Sequence, residues 1–216
     1  MKKGIIFDVD GTLWDACSVI ADSWNEYIRG SEPDLEANLT YDDLHRTCGL
    51  TMTAIADTLF PQLQTERRYD LLEKLCSYEV DYLRSHDGEI YPHVKEIMAS
   101  LSGPYHLYIV SNCQRGYVQR FIDQAGCGSY IEDYEEYGRT GLVKDRNIEL
   151  LVGRNHLETA VYVGDTQGDY NSTRMAGQKF IHAAYGFGTL DETSVPDGVI
   201  HSLDELPECV RQVLAE

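Results

Sequence analysis

The stretch that most constrains this chain is Gly4-Ile5-Ile6-Phe7-Asp8-Val9-Asp10-Gly11-Thr12-Leu13. A short unbroken apolar run ended by a turn signal reads as a strand buried on both faces, as inside a parallel sheet. This run ends on Asp8, with Asp10 two residues on and Gly11 permitting a sharp turn. In open parallel α/β sheets, ligands bind beyond the carboxyl ends of the strands. Two acids at such a tip are candidate site residues. For a single pair of this kind, a solvated turn or a helix cap is the plain alternative.

After the strand the pattern turns helical for about 70 residues, with no convincing strand. Asp15 to Arg29 carries apolar residues at helical spacing. Thr40, followed by Asp42 and Asp43, reads as an N-cap with an acidic first turn, and Thr51 as a second cap. A long helix is expected over 66–85. From about residue 90 strands and helices alternate. Pro92 suits a first helical position, and Val94, Ile97, Met98 and Leu101 follow on one face. His106 to Val110 is a strand ending at Ser111 and Asn112. Tyr117 to Ala125 is a helix stopped by Gly126, and a weak strand lies over 131–137. A helix over 145–154 follows, then the strand Ala160 to Gly164, ending on Asp165. A helix to Ala176, short strands over 179–183 and 198–201, and a helix over 203–214 complete the pattern. Alternation of this kind predicts an α/β fold: a Rossmann-like parallel sheet flanked by helices, with the first strand inside it. The helical block is then an insertion. The expected division is a core of residues 1–14 and 87–216 and an all-helical cap of residues 15–86.

Charge narrows the partners. There are 18 Lys+Arg against 36 Asp+Glu, a formal net charge of -18. That argues against nucleic acid and against anionic membrane surfaces. The apolar stretch before Asp8 is too short for a signal peptide or for a spanning helix of about 20 residues. A cytoplasmic location is therefore expected, with the six scattered cysteines reduced rather than paired. Nothing in the pattern fixes an oligomeric state.

If the sheet is parallel, its tips bring together Asp8, Asp10, Ser111, Asn112, Asp165 and Asp169, with Lys144 at a helix start nearby. Packed carboxylates repel unless something neutralises them. Hard oxygen ligands with few basic neighbours suit Mg²⁺, which takes few protein carboxylates and leaves room for a phosphate oxygen.

These four stretches, in this order and over nearly the whole chain, resemble the motifs of the haloacid dehalogenase superfamily. Asp8-Val9-Asp10-Gly11-Thr12-Leu13 is similar to its first motif, Ser111 to the second, Lys144 to the third, and Gly164-Asp165-Thr166 through Asp169 to the fourth. Tyr91-Pro92 and Tyr185-Gly186-Phe187-Gly188 resemble the phosphoglycolate phosphatase-like branch, whose helical cap is inserted after the first motif. The resemblance implies a hydrolase acting on a small soluble phosphomonoester, phosphoglycolate first among them, through an aspartyl-phosphate. Asp8 would be the nucleophile and Asp10 the acid and base. Thr12, Ser111, Asn112 and Lys144 would hold the phosphoryl group. Mg²⁺ would lie on Asp8, Asp165 and the backbone carbonyl of Asp10, with Asp169 joining or supporting that shell. Branches that cleave carbon–halogen bonds lack an acid at the Asp10 position.

One departure stands out. The family usually has proline after the third-motif lysine, whereas Asp145-Arg146 follow Lys144 here, which leaves Lys179 as an alternative. Two other functions compete. A phosphosugar mutase of the β-phosphoglucomutase type would carry Thr-Asp and a histidine soon after the first motif, where this chain has Trp14-Asp15-Ala16-Cys17-Ser18. A non-catalytic phosphoryl-binding signalling module would need neither a cap nor Asp10. Arg46, Thr47 and Gly49 fall where this cap type carries its specificity loop, though Arg46 on a short acidic helix reads first as a surface charge.

Overall fold

A computed structural model describes residues 2–36 and 38–215. Met1 and Glu216, the outer bounds of the expected core, lie outside the described residues. Strand β1 (Lys3–Phe7) is central. It pairs in parallel with β4 (His106–Ser111) on one side and β6 (Thr159–Gly164) on the other. Strands β5 (Ile131–Glu136), β7 (Lys179–Ala183) and β8 (Gly198–Ile200) extend a six-stranded parallel sheet in the order β5-β4-β1-β6-β7-β8. The chain leaves β1 toward one flank and returns to the other, so the order reverses beside β1. The carboxyl edge of β1 is therefore where a ligand crevice belongs.

Successive side chains of β1 feed opposite helical layers. Ile5 and Phe7 pack in one apolar cluster with α5 (Val94–Leu101), α6 (Tyr117–Ala125) and α10 (Leu206–Val213). Ile6 packs in another with α8 (Lys144–Arg154). All three β1 side chains are fully buried, as an uninterrupted apolar run requires.

The inserted block is α1 (Cys17–Ser31), α2 (Tyr41–His45), α3 (Met52–Leu59) and α4 (Thr65–Tyr82). These helices enclose an apolar core of their own, centred on Trp24, Ile28, Phe60, Leu71 and Leu75. Thr40 accepts from the Asp43 N–H and Asp43 accepts from the Thr40 N–H, a reciprocal capping box. Thr51 caps α3.

Four details differ from the pattern. Trp14–Asp15 (β2) and Glu89–Ile90 (β3) form a two-stranded antiparallel ribbon, through which the chain leaves for the helical block and returns. Two-residue strands carry no readable period. Pro92 is not the first helical residue, because His93 takes a left-handed conformation (φ 63°) and α5 begins only at Val94. The last helix starts at Leu206 after a 3-10 turn over Leu203–Glu205, with proline in its first turn. A one-turn helix, α7 (Tyr137–Thr140), follows β5 where the pattern expects none, and the other edges, those of α9 (Gln167–Met175) among them, fall within a few residues of expectation. No described helix is long and apolar enough to cross a membrane, and the six cysteines are free.

Candidate active site

Asp8 leaves β1 still tied to the sheet, its N–H donating to the Val163 carbonyl at 2.9 Å. The chain then winds round the Val9 carbonyl, which accepts from the N–H groups of Thr12, Leu13 and Trp14. Gly11 takes φ +74°, and a Cβ there would lie 2.4 Å from Asp165 Oδ2, so only glycine fits. This turn sets Asp8 against the tip of β6.

Asp8, Asp165 and Asp169 converge there, each offering a carboxylate oxygen within 4.8 Å of the others, and all three are buried. Lys144, also buried, lies between two of them. Its Nζ donates to Asp8 Oδ1 at 3.0 Å and to Asp169 Oδ1 at 2.5 Å. Burial works against the ammonium, but the two carboxylates outweigh it and hold Lys144 charged, well above its usual range. Burial, with Asp169 adding to it, pushes the Asp8 carboxyl above its ordinary range despite Lys144. Asp165 is pushed up by the same two causes, although its Oδ2 accepts from the N–H groups of Phe187 and Gly188. One lysine does not balance three buried acids, and the deficit is that of a divalent cation. The donor set is all carboxylate oxygen, which suits Mg²⁺. Asp8 Oδ2 and Asp165 Oδ1 are the least committed oxygens. Both oxygens of Asp169 are occupied, by Lys144 and by the Thr166 cap.

Asp10 stands apart from this cluster. Its Oδ1 accepts from the Tyr117 hydroxyl at 2.6 Å. Burial lifts the carboxyl to about 7, although the Tyr117 bond pulls it down. Thr12 donates from its hydroxyl to Asp165 Oδ1 at 3.3 Å. Ser111 ends β4 beside the acids and is buried. Asn112 donates to the Gly49 carbonyl at 3.1 Å, and Gln114 donates to Glu79 of α4. The segment 111–114 thus tethers the core to the inserted helices.

Between the two lies a cavity of about 70 Å³. Asp8, Asp10, Ser111 and Lys144 line its floor, and Trp24, Leu44, Cys48, Met52, Ile55 and Glu79 its roof. The loop between α2 and α3 therefore reaches the cavity, as expected. Arg46 does not line it; the side chain is largely exposed and pairs with Asp43 at 2.7 Å. Lys179, the alternative to Lys144, donates to the Val213 carbonyl, away from the acids.

Tyr117, Gln114 and Glu79 are site residues that pattern reading passed over. Tyr117 looks like the first apolar residue of an amphipathic helix, which it also is. Glu79 did leave a trace. It follows Leu72 and Cys76 on the buried stripe of α4, where a charged residue is out of place.

The sequence profile of haloacid dehalogenase-like hydrolases matches residues 5–183. A probable phosphatase, IndB, from Dickeya dadantii is 24% identical over 218 residues, spanning 95% of this chain and 92% of that protein. Similar folds occur in a haloacid dehalogenase-like hydrolase from Streptococcus pneumoniae (TM-score 0.79, 19% identity, 96% and 97% of the two chains). A predicted phosphoglycolate phosphatase from Haemophilus somnus superposes comparably (0.78, 21%, 96% and 97%). So does a 2-haloacid dehalogenase from Pseudomonas syringae, less closely (0.69, 21%, 98% and 99%). A fold shared with a dehalogenase leaves the choice of reaction to the site.

Proposed function

The chain belongs to the haloacid dehalogenase-like hydrolases, and from that footing we propose that it is a Mg²⁺-dependent phosphatase of a small soluble phosphomonoester, working through an aspartyl-phosphate on Asp8. The observation that carries the reading is Asp10. It is a carboxyl poised at about 7 beside a buried Asp8–Lys144 pair, the placement a proton carrier needs and a halide-displacing site does not.

Asp8 Oδ1 is held by Lys144, which leaves Oδ2 to attack phosphorus. As the bond to the leaving oxygen breaks, Asp10 gives that oxygen its proton. Asp10, now ionised and steadied by Tyr117, takes a proton from the water that attacks the phosphoaspartate, and phosphate departs with Asp8 restored. Ser111 and Asn112, with Thr12 behind them, border the phosphoryl position. Asp8, Asp165 and the Asp10 carbonyl would hold Mg²⁺, with Asp169 supporting from behind through Lys144 and Thr166. The ion would supply positive charge against the phosphoryl oxygens. Residues 15–86 act as a cap that excludes water from the first step and shapes the space for the leaving group. The family resemblance puts phosphoglycolate first among substrates, and the lining of the cavity bears on that choice.

The test is release of inorganic phosphate from p-nitrophenyl phosphate, with Mg²⁺ and with EDTA. Turnover should need Mg²⁺, need no sugar bisphosphate, and disappear in Asp8→Asn. Activity that survives Asp8→Asn, or no turnover with Mg²⁺ present, sinks the proposal.

A further inference from the structure

Glu79 is an acid in an apolar wall. It sits on α4 with 2% of its surface exposed, among Trp24, Cys76 and Gln114, and it lines the cavity above Asp8 and Asp10. Trp24 Nε1 donates to Oε2 at 2.7 Å and Gln114 Nε2 donates to Oε1 at 2.5 Å. Among the described residues, no lysine, arginine or histidine lies within ion-pair distance of it. Buried acids are ordinarily paired or absent, so a carboxyl kept here without a cation calls for a use.

The surroundings show which side of the substrate it faces. The charge of Asp10 is felt at Glu79, and the charge of Glu79 at Tyr117, the partner of Asp10. Asp10 hands its proton to the leaving oxygen, so Glu79 overlooks the leaving group rather than the phosphoryl oxygens. The Trp24 indole and one N–H of the Gln114 amide both donate to Glu79, and both Glu79 and Gln114 line the cavity. Lys144 is the one cation among the cavity's described lining residues, and Asp8 and Asp169 occupy it. The wall is neutral: Glu79 keeps its proton and Gln114 has an N–H to spare, but nothing on it carries the positive charge that a second anion needs.

We infer that Glu79 is a specificity-determining residue, selecting a phosphomonoester whose leaving group carries a hydrogen-bond donor (a hydroxyl or an ammonium) and no second anion. This rests on the phosphatase reading above. It moves the substrate away from phosphoglycolate, whose carboxylate would meet a carboxyl with no cation to receive it.

Three phosphoesters on one two-carbon skeleton test it: 2-phosphoglycolate, 2-hydroxyethyl phosphate and 2-aminoethyl phosphate. They differ in carrying a carboxylate, a hydroxyl or an ammonium, and p-nitrophenyl phosphate monitors the chemistry itself. For the wild-type protein with Mg²⁺, kcat/KM should be at least about tenfold higher for the hydroxyethyl or the aminoethyl ester than for phosphoglycolate. Whichever of the two is faster identifies the donor. Glu79→Gln, which can neither ionise nor offer an O–H, should narrow that ratio by raising KM for the favoured ester, with KM for phosphoglycolate little changed. A wild-type preference for phosphoglycolate, or a ratio unmoved in a folded Glu79→Gln protein, overturns the inference while leaving the phosphatase reading intact. Failure to hydrolyse even p-nitrophenyl phosphate strikes the phosphatase reading instead. Should Glu79→Gln not fold, the wild-type ratio decides alone.

Discussion

The metal-free protein should lose stability as the pH rises from 5 to 8, and Glu79 allows the size of that loss to be worked out. Its ordinary value is 4.5, and burial raises it in the folded chain to about 8. Between those values the unfolded chain has released the proton and the folded chain has kept it. The folded state therefore binds more protons, and stability falls with pH across this window. The slope is about 1.4 kcal/mol per pH unit for one group, so Glu79 alone costs about 2.7 kcal/mol between pH 5 and 7. For a chain of this size that is a fall in Tm of roughly 5–10 °C. Asp10, raised to about 7, and Asp8 and Asp165, also raised, act in the same direction. Glu136, raised by burial, and His93, raised by its bond to Asp204, add to the fall, while His182, held below its ordinary value by burial, acts the other way near the acid end. Calorimetry in EDTA across this range measures the total, and Glu79→Gln isolates one share. Gln114 can turn its amide over to meet the new side chain, so the variant should fold with a visibly shallower slope. A wild-type Tm that is flat or rising from pH 5 to 7, or a Glu79→Gln slope equal to wild type, would refute the reasoning. Mg²⁺ should raise Tm more at pH 8 than at pH 5, because it competes with protons for Asp8 and Asp165.

Lys144→Met should lower kcat by roughly 10²-fold or more. It should also destabilise the metal-free protein by about 3–5 kcal/mol at neutral pH, since it strands Asp8 and Asp169, with partial recovery on acidification seen by the same calorimetry. Tyr117→Phe removes the hydrogen bond that pulls Asp10 down, so the alkaline limb of the kcat/KM profile should move up by roughly one pH unit or more. Gly186→Ala would set a Cβ 2.3 Å from the Gly11 carbonyl and 2.4 Å from Asp165 Cβ. Circular dichroism melts should show a clear loss of stability, and the remaining folded protein should need more Mg²⁺ for half-maximal activity.

The residues that end strands were legible because their surroundings are periodic. Ile5-Ile6-Phe7 and Ala160-Val161-Tyr162-Val163 are buried on both faces, and the chain can place Asp8 and Asp165 only where those runs stop. Asp169 was legible through the resemblance of Gly164-Asp165-Thr166 through Asp169 to the fourth motif, and in the fold it closes a capping box with Thr166. Lys144 was legible through resemblance alone, since a lysine at a helix start has no signature until Asp8 and Asp169 surround it. The opposite wall was hidden for a tertiary reason. Tyr117, Gln114 and Glu79 come from a helix, a loop and an inserted helix, and only packing the inserted block onto the sheet brings them together. The β2–β3 ribbon escaped because Asp15 and its partner Glu89 are 74 residues apart, too far in sequence and in strands too short for a period to show.

The central claim is that Asp8 carries the phosphoryl group while Asp10 carries the proton, and trapping the intermediate tests it most directly. Asp10→Asn protein, mixed with p-nitrophenyl phosphate and Mg²⁺ and quenched in acid, should yield a phosphorylated peptide containing Asp8. The label should be labile to hydroxylamine, as an acyl phosphate is, and p-nitrophenol should appear in a single burst of about one equivalent, because a leaving group this good departs without the acid and hydrolysis then stalls. No label on the Asp8 peptide, or steady turnover at the wild-type rate in Asp10→Asn, would contradict the account.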